Sequence, residues 1–391
     1  MHAPKQKPAI FRMRMFAAAA VALAWASPAF AQDNPVVAHY RVYRAALERN
    51  DLAAAETAAD AALQASVVRD GQGGRTGILA INLAKVRLSR GKAAEAYAPA
   101  LQAFNISAAD PGVGVDALLA RLVLGRSELT DARWREGRDR LRPAIEAAEA
   151  RPDMAAEGYT AAAELGRWLN AHEAYQEAIT AWTAAGRLVE SAEGDKVYAL
   201  AEARLNEGVA RFLRATAARN HERRRPNDTR IFFDMSGEFE IARARFAETQ
   251  TLLREAAHTQ GEGLGLSLSQ QMYAAARAWS GALWAYAEGE ESRFRPDEPL
   301  EDTGYACAVS LDPTPRPDFP PGALSATSVG AVVLRVLTNE RDEVVDIRVA
   351  AAVPSRWFKE AVERVASQWR LTRTCPGQNV SFTSIRFYFR S

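Results

Sequence analysis

A repeat at fixed spacing constrains this chain more than any other feature of its sequence. Between residues 36 and 190 four segments align without gaps at a spacing of 41. Val42, Leu83, Leu124 and Leu165 fall in one column, and Tyr43, Ala84, Gly125 and Gly166 fall in the next. Twelve residues on stand Ala55, Ala96, Gly137 and Ala178, and seven beyond those come Ala62, Ala103, Ala144 and Ala185. Turn chemistry lies between the columns, at Asn50-Asp51, at Gly91-Lys92, near Thr130-Asp131 and near Asn170-Ala171. Each unit therefore reads as helix, short turn, helix. Small residues recur where two helices must approach to about 8–10 Å, because a bulky side chain there would force them apart. A leucine recurs where the first helix faces its neighbours.

The fourth unit, with Leu165-Gly166, Leu169, Tyr175, Ala178, Trp182 and Ala185, resembles the tetratricopeptide repeat family. The period is longer than that family's usual 34 or so residues, and Tyr43 stands where a small residue is usual. Loops such as Asp70-Gly71-Gln72-Gly73-Gly74 and Asp110-Pro111-Gly112-Val113-Gly114 would hold the extra length. Beyond residue 190 the register is lost while helical patterning continues. Ala242, Phe246 and Thr249 suggest a fifth pair, and Leu268 to Glu288 reads as a closing helix carrying Tyr273, Trp279, Trp284 and Tyr286. The resemblance implies a curved solenoid whose concave face holds another protein. Spacing a C-terminal domain is the plainer role that stands beside it.

Seven prolines between Pro296 and Pro321, including Pro313-Thr-Pro315-Arg-Pro317, cannot be helical and mark an extended linker. After it the apolar period changes to two. Val329 to Thr338 is an apolar strand, and Thr338 to Asp342 is a polar turn. In a second strand Val345, Ile347 and Val349 alternate with Asp346 and Arg348. From Pro354-Ser355 a helix is expected to carry Phe358, Ala361, Val362, Val365, Ala366 and Trp369 on one apolar stripe. A last strand has Ile385, Phe387 and Phe389 on one side and Arg386, Tyr388 and Arg390 on the other. The fold class expected is multidomain α+β: an all-α helical-repeat solenoid, then a small domain with a three-stranded antiparallel sheet and one helix. The divisions are a signal peptide at 1–31, repeats at 32–290, a linker at 291–325 and a C-terminal domain at 326–391 able to fold alone.

Phe319-Pro320 ahead of this domain, Gly330-Ala331-Val332 opening its first strand, the hairpin, Trp369-Arg370-Leu371 closing the helix and the aromatic last strand resemble the C-terminal domain of TonB. That family's domain is the periplasmic end of the energy transducer for outer-membrane uptake. Asn339-Glu340-Arg341-Asp342 lacks the usual turn glycine, and Ala350-Ala351-Ala352 stands where a serine is frequent. The resemblance implies capture of an extended segment of an outer-membrane receptor at a sheet edge. In that mode backbone hydrogen bonds supply affinity and alternating pockets supply selectivity. The corresponding edge is the last strand, and its partner-binding residues would be Val380, Phe382, Thr383, Ser384, Arg386 and Tyr388. Outward Thr383, Ser384 and Arg386 would keep an unpaired edge soluble. Pairing of this strand within the domain, or in a homodimer, is the plainer alternative.

The compartment follows from the N-terminus. Lys5, Lys7, Arg12 and Arg14 precede an apolar stretch from Phe16 to Ala26, and Ala29-Phe30-Ala31 supplies a small-x-small site, so cleavage is expected before Gln32. An uncleaved anchor is the rival, although a bilayer span takes roughly 20 apolar residues. Retaining that anchor would make the chain a transducer coupled to the inner membrane. Export to a bacterial periplasm makes Cys307 and Cys375, the two cysteines of the chain, a disulfide most simply, with two buried thiols as the alternative. Such a bridge would stabilise by up to about 4 kcal/mol on the chain-entropy model.

Losing four cations and no acid with the leader takes the formal charge from +1 to −3, which leaves no bulk electrostatic case for nucleic acid. Two cysteines and five histidines are too few for a multi-ligand metal centre. Neither GxSxG nor HExxH occurs, and the glycines at 71–74 complete no dinucleotide fingerprint. The basic run from Arg219 to Arg230 reads as a solvated loop. The expected function is non-enzymatic protein or peptide binding in the cell envelope, with no cofactor, no metal and no small-molecule substrate.

Overall fold

The sequence period returns as a spacing of helix starts. The computed structural model describes residues 34–224, 235–258, 268–284, 286, 309–312, 315–323, 329–339, 344–353, 356–373 and 379–388. Its first eight helices are α1 (Pro35–Glu48), α2 (Leu52–Asp70), α3 (Gly74–Ser89), α4 (Ala93–Ala109), α5 (Ala117–Ser127), α6 (Trp134–Glu149), α7 (Ala155–Ala171) and α8 (Tyr175–Ser191). Leu52, Ala93, Trp134 and Tyr175 each open a second helix, at intervals of 41.

The turn between the helices of a pair repeats at the same interval. Asn50, Gly91 and Glu173 have φ of 56°, 72° and 59°. Beside them the amides of Asp51, Lys92 and Ala174 donate to the carbonyls of Ala46, Arg87 and Leu169 at 2.9, 2.8 and 2.9 Å. A left-handed residue followed by a bond back across the last turn is how a helix C-terminus satisfies its orphan carbonyls. The third unit departs, because α5 stops at Ser127 and a longer turn leads to α6. At the starts, the side chains of Asn34, Asp51 and Asp116 accept from the amides of Val36, Ala54 and Leu119 at 3.1, 3.0 and 2.9 Å.

The chain divides into two compact units, Met1–Trp168 and Leu169–Ser391. In the first unit the small-residue columns lie at helix contacts. Ala55, Ala96, Ala62, Ala103 and Ala144 are fully buried. A Cβ built on Gly125 would stand 2.7 Å from the Leu141 side chain, and one on Gly137 would stand 2.9 Å from the Gly125 carbonyl oxygen. Val42, by contrast, is 54% exposed although Leu83 and Leu124 in its column are buried.

In the second unit α8 is followed by α9 (Val197–Arg224), α10 (Met235–His258) and α11 (Leu268–Leu283). Ala242, Phe246 and Thr249 of the suggested fifth pair are fully buried on α10. Glu207, also fully buried, lies within 3.6, 3.0 and 3.0 Å of Arg204, Arg211 and Arg245. A carboxylate so deep in the fold is tolerable because these guanidiniums replace its water.

The remaining elements are β1 (Val309–Asp312), β2 (Val329–Thr338), β3 (Val344–Val353), α12 (Arg356–Glu363), β4 (Arg370–Arg373) and β5 (Asn379–Tyr388). All strand pairs are antiparallel: β2 lies between β3 and β5, and β1 pairs with β4. The middle strand is buried on both faces. Val332, Leu334 and Val336 share a cluster with Phe358, Ala361, Val362 and Trp369, while Ala331 and Val333 share another with Phe212, Phe246, Trp279 and Tyr286 from the helices. One helix on one sheet face was expected, but the second face is covered as well. Side chains alternate across a strand, so an unbroken apolar run has two faces to bury.

Three local expectations are corrected. The amphipathic helix ends at Glu363, and Ala366 lies on a following 3-10 turn, yet Val365, Ala366 and Trp369 reach the same cluster as Phe358. Arg370 and Leu371, expected to close that helix, open β4 instead. Val345 was placed on the inward row of the second strand. The register slips between Leu337 and Thr338, so Val345 is the unpaired extra residue, 53% exposed, and Val344 takes its inward place. An extra residue inverts the side-chain alternation beyond it.

The described part of the expected linker is docked. β1 pairs with β4, the Trp369 indole Nε1–H donates to the Pro315 carbonyl at 2.8 Å, and Phe319 meets Phe358 edge-on at 5.3 Å between centroids. Pro320 and Ala323 are buried.

Candidate functional site

The two borders of the sheet differ in regularity. On β3 the register slips twice, between Val333 and Leu334 and again between Leu337 and Thr338, which leaves Ala350 and Val345 as extra residues. Between them Asp346 and Arg348 form an ion pair, with Nε at 2.5 Å from Oδ2. Bulges and charges of this kind twist and hydrate a border, and both oppose docking of another strand. On the other side β5 follows β2 without a slip from Val329 opposite Tyr388 to Thr338 opposite Asn379. A strand held in one register over ten residues keeps the backbone groups of its far side at regular spacing. Among the described residues β2 is the sole strand neighbour of β5.

The six residues anticipated from the sequence all lie on β5. Val380 stands opposite Leu337, Phe382 opposite Arg335, Thr383 opposite Leu334, Ser384 opposite Val333, Arg386 opposite Ala331 and Tyr388 opposite Val329. Directly opposed residues share a face. α11 packs against β5 and β2, so any recognition at this strand would run through its backbone border rather than an open face. Cys307 and Cys375 lie outside the described residues.

Gly330 fixes how α12 crosses the sheet. A Cβ there would stand 2.3 Å from Phe358 Cε1, so the Phe358 ring rests on bare backbone. Sequence reasoning missed the β1–β4 ribbon. Its signal is faint: four residues on each side, Val309-Ser-Leu-Asp312 and Arg370-Leu-Thr-Arg373, too short for a period to show.

Clusters of ionisable side chains elsewhere are saturated by opposite charge. Burial alone would raise the Glu56 carboxyl, but Lys92, Arg90 and Arg87 outweigh it and hold it below its ordinary value. Glu157 behaves likewise: burial raises it, and Lys85 and Arg126 pull it further down. Arg126, 6% exposed, is held by Glu164 through two bonds of 2.9 and 2.8 Å. A general acid or base works best with a pKa near the operating pH, and these carboxyls are driven away from it. Burial pushes the Tyr43 hydroxyl up to about 12, with Tyr40 adding to the shift. Among the described residues no group of three or more His, Cys, Asp or Glu side chains could hold a metal ion, and no helix is long and apolar enough to cross a membrane.

No protein-family model matches this chain, and none of the curated proteins matches it.

Proposed function

We propose that this chain is a binding protein of the bacterial cell envelope whose C-terminal sheet captures an extended peptide by strand addition along β5. The helical repeats, similar to tetratricopeptide repeats, serve as its scaffold. The observation that carries the reading is the contrast between the borders: β3 is bulged twice and charged, and β5 is unslipped over its whole length. Strand addition draws its affinity from main-chain hydrogen bonds and its selectivity from alternate side chains, so it favours the regular border. The resemblance of residues 319–389 to the TonB C-terminal domain supports a partner of the same kind, an extended segment of an outer-membrane protein.

Along an antiparallel edge strand, neighbouring amides alternate between the paired side and the free side. One of Thr383→Pro and Ser384→Pro therefore removes an outward amide and the other an inward one. The test is fluorescence anisotropy of labelled peptides, taken from N-terminal segments of outer-membrane receptors, against the full mature chain. The proposal expects binding that one of these two variants abolishes while its helical circular dichroism and melting midpoint stay unchanged. Absence of binding to every peptide, or binding that both variants retain, would reject it. Export is tested separately by mass spectrometry of the N-terminus: a chain beginning at Gln32 supports the envelope reading, and one retaining residues 1–31 gives an anchored protein instead.

A further inference from the structure

The proline-rich strap, residues 315–323, and α12 leave a groove between them, on residues that strand addition at β5 does not use. The strap ends in a 3-10 turn, Pro321–Ala323, closed by the Ala323 amide on the Pro320 carbonyl at 2.9 Å. Trp357 of α12 lies on this turn. A Cβ built on Gly322 would stand 3.0 Å from Cε2 and 3.2 Å from Cδ2 of Trp357. Both rings of an indole share these two atoms, so they are reached over the ring face and not at its edge. Bare backbone at Gly322 therefore supports the indole. Turn and helix border a groove of about 500 Å³ lined by Pro320, Pro321, Trp357, Glu360, Glu363 and Arg364. That volume falls within the roughly 300–1,000 Å³ of ligand sites.

The chemistry of the lining suits a proline and a cation together. Trp357, Glu360 and Arg364 stand at i, i+3 and i+7, a row beside that of Phe358, Ala361, Val362 and Val365, which packs in the core. Extended proline segments dock on aromatic-lined grooves, and their backbone carbonyls stay open to donors. This chain makes one such contact with itself, where the buried Trp369 indole donates to the Pro315 carbonyl. The Trp357 indole is half-buried, and its N–H has no acceptor among the described residues. At the rim Glu360 meets Arg356 at 3.8 Å and Glu363 meets Lys359 at 3.7 Å, with the two carboxylate side chains 58% and 52% exposed. Ion pairs so long and so wet contribute little, which leaves both carboxylates open to a better-placed cation. The lining itself sets two carboxylates against one guanidinium. We propose that this groove binds an extended, proline-containing segment of a partner protein with a basic residue next to the proline. The proline lies against Trp357 and Pro321, and the basic side chain reaches Glu360 and Glu363.

The experiment titrates the full mature chain into fluorescein-labelled synthetic peptides and reads anisotropy. Three probes separate proline from charge: Arg-Pro-Pro-Arg-Pro-Pro, Arg-Gly-Gly-Arg-Gly-Gly and Glu-Pro-Pro-Glu-Pro-Pro. The first is expected to bind about tenfold tighter, or more, than either of the others. The double variant Glu360→Lys, Glu363→Lys should weaken the first probe by about tenfold or more at an unchanged melting midpoint, because both side chains are exposed. Equal binding of the first two probes would reduce the groove to a charged surface and overturn the proposal. No binding of the first probe, or binding that the double variant retains, would overturn it as well. Whichever of Thr383→Pro and Ser384→Pro keeps its melting midpoint should bind the first probe as the parent does. Loss of binding in that variant would put the probe on β5 and overturn the proposal, so failure at the groove and failure at the sheet border are read separately.

Discussion

The ring of Phe358 lies where a side chain of Gly330 would be, with Cε1 only 2.3 Å from the position of a Cβ. Phe358 is fully buried and also meets Phe319 edge-on at 5.3 Å between centroids, so the ring has little room to withdraw. Gly330→Ala is therefore expected to destabilise the second unit by about 1–3 kcal/mol, the usual cost of overpacking a tight core. Urea denaturation checks this, and an unchanged midpoint would show that α12 shifts freely on the sheet.

Two glycines of the repeat region should respond unequally to the same change. Each gains up to about 1 kcal/mol of helix propensity on substitution by alanine. At Gly125 the obstacle is the side chain of Leu141, whose Cγ and Cδ2 both stand at 2.7 Å. At Gly137 it is backbone, the Gly125 carbonyl oxygen at 2.9 Å and the Glu128 carbonyl carbon at 3.1 Å. Gly125→Ala should lower the melting temperature less than Gly137→Ala, because a side chain can yield further than backbone. Equal effects would mean that α5 and α6 adjust their separation at little cost.

Release of the strap can be provoked by one substitution. Trp369→Phe keeps most of the buried ring volume and removes the Nε1–H that donates to the Pro315 carbonyl. The loss should cost about 0.5–1.5 kcal/mol, together with faster amide exchange at Ala323, whose N–H bonds to the Pro320 carbonyl at 2.9 Å. Exchange at Ala323 equal to that of the parent protein would assign the anchoring to Phe319 alone.

Acid should loosen the first unit through Glu157. Lys85 and Arg126 hold its carboxyl, despite burial, below the ordinary value of 4.5. An unfolded chain therefore takes up the proton at higher pH than the folded one. The stability from this group is fully present above about pH 4.5 and is lost as pH falls through the folded value. Denaturation midpoints between pH 7 and pH 3 should stay level and then fall, and Glu157→Gln should flatten the fall. A variant with the parent slope would remove Glu157 from the account.

The unit that folds alone should be larger than the last 66 residues. A fragment of residues 326–391 exposes Ala331, Val333 and Val353, whose cluster is completed by α9, α10 and α11, and it lacks β1 and the strap. A fragment of residues 169–391, the second compact unit, retains all of these. Cooperative thermal unfolding is expected for the longer fragment and not for the shorter. A sharp transition in residues 326–391 would show that α12 and the strands suffice.

What the sequence determined by itself was local. The 41-residue interval set the starts of α2, α4, α6 and α8, because capping, turn conformation and the size of a residue at a helix contact are decided by neighbours within a few positions. The spans of β2 and β5 were legible for the same reason, as alternation and apolar runs are short-range signals. Only the tertiary structure decided that both faces of β2 are covered, that Val344 rather than Val345 points inward, and that β4 leaves the helix stripe to pair with β1. Each of these rests on contacts between segments far apart in the chain, and a run such as Arg370-Leu-Thr-Arg373 has no conformation of its own until a partner strand satisfies its backbone.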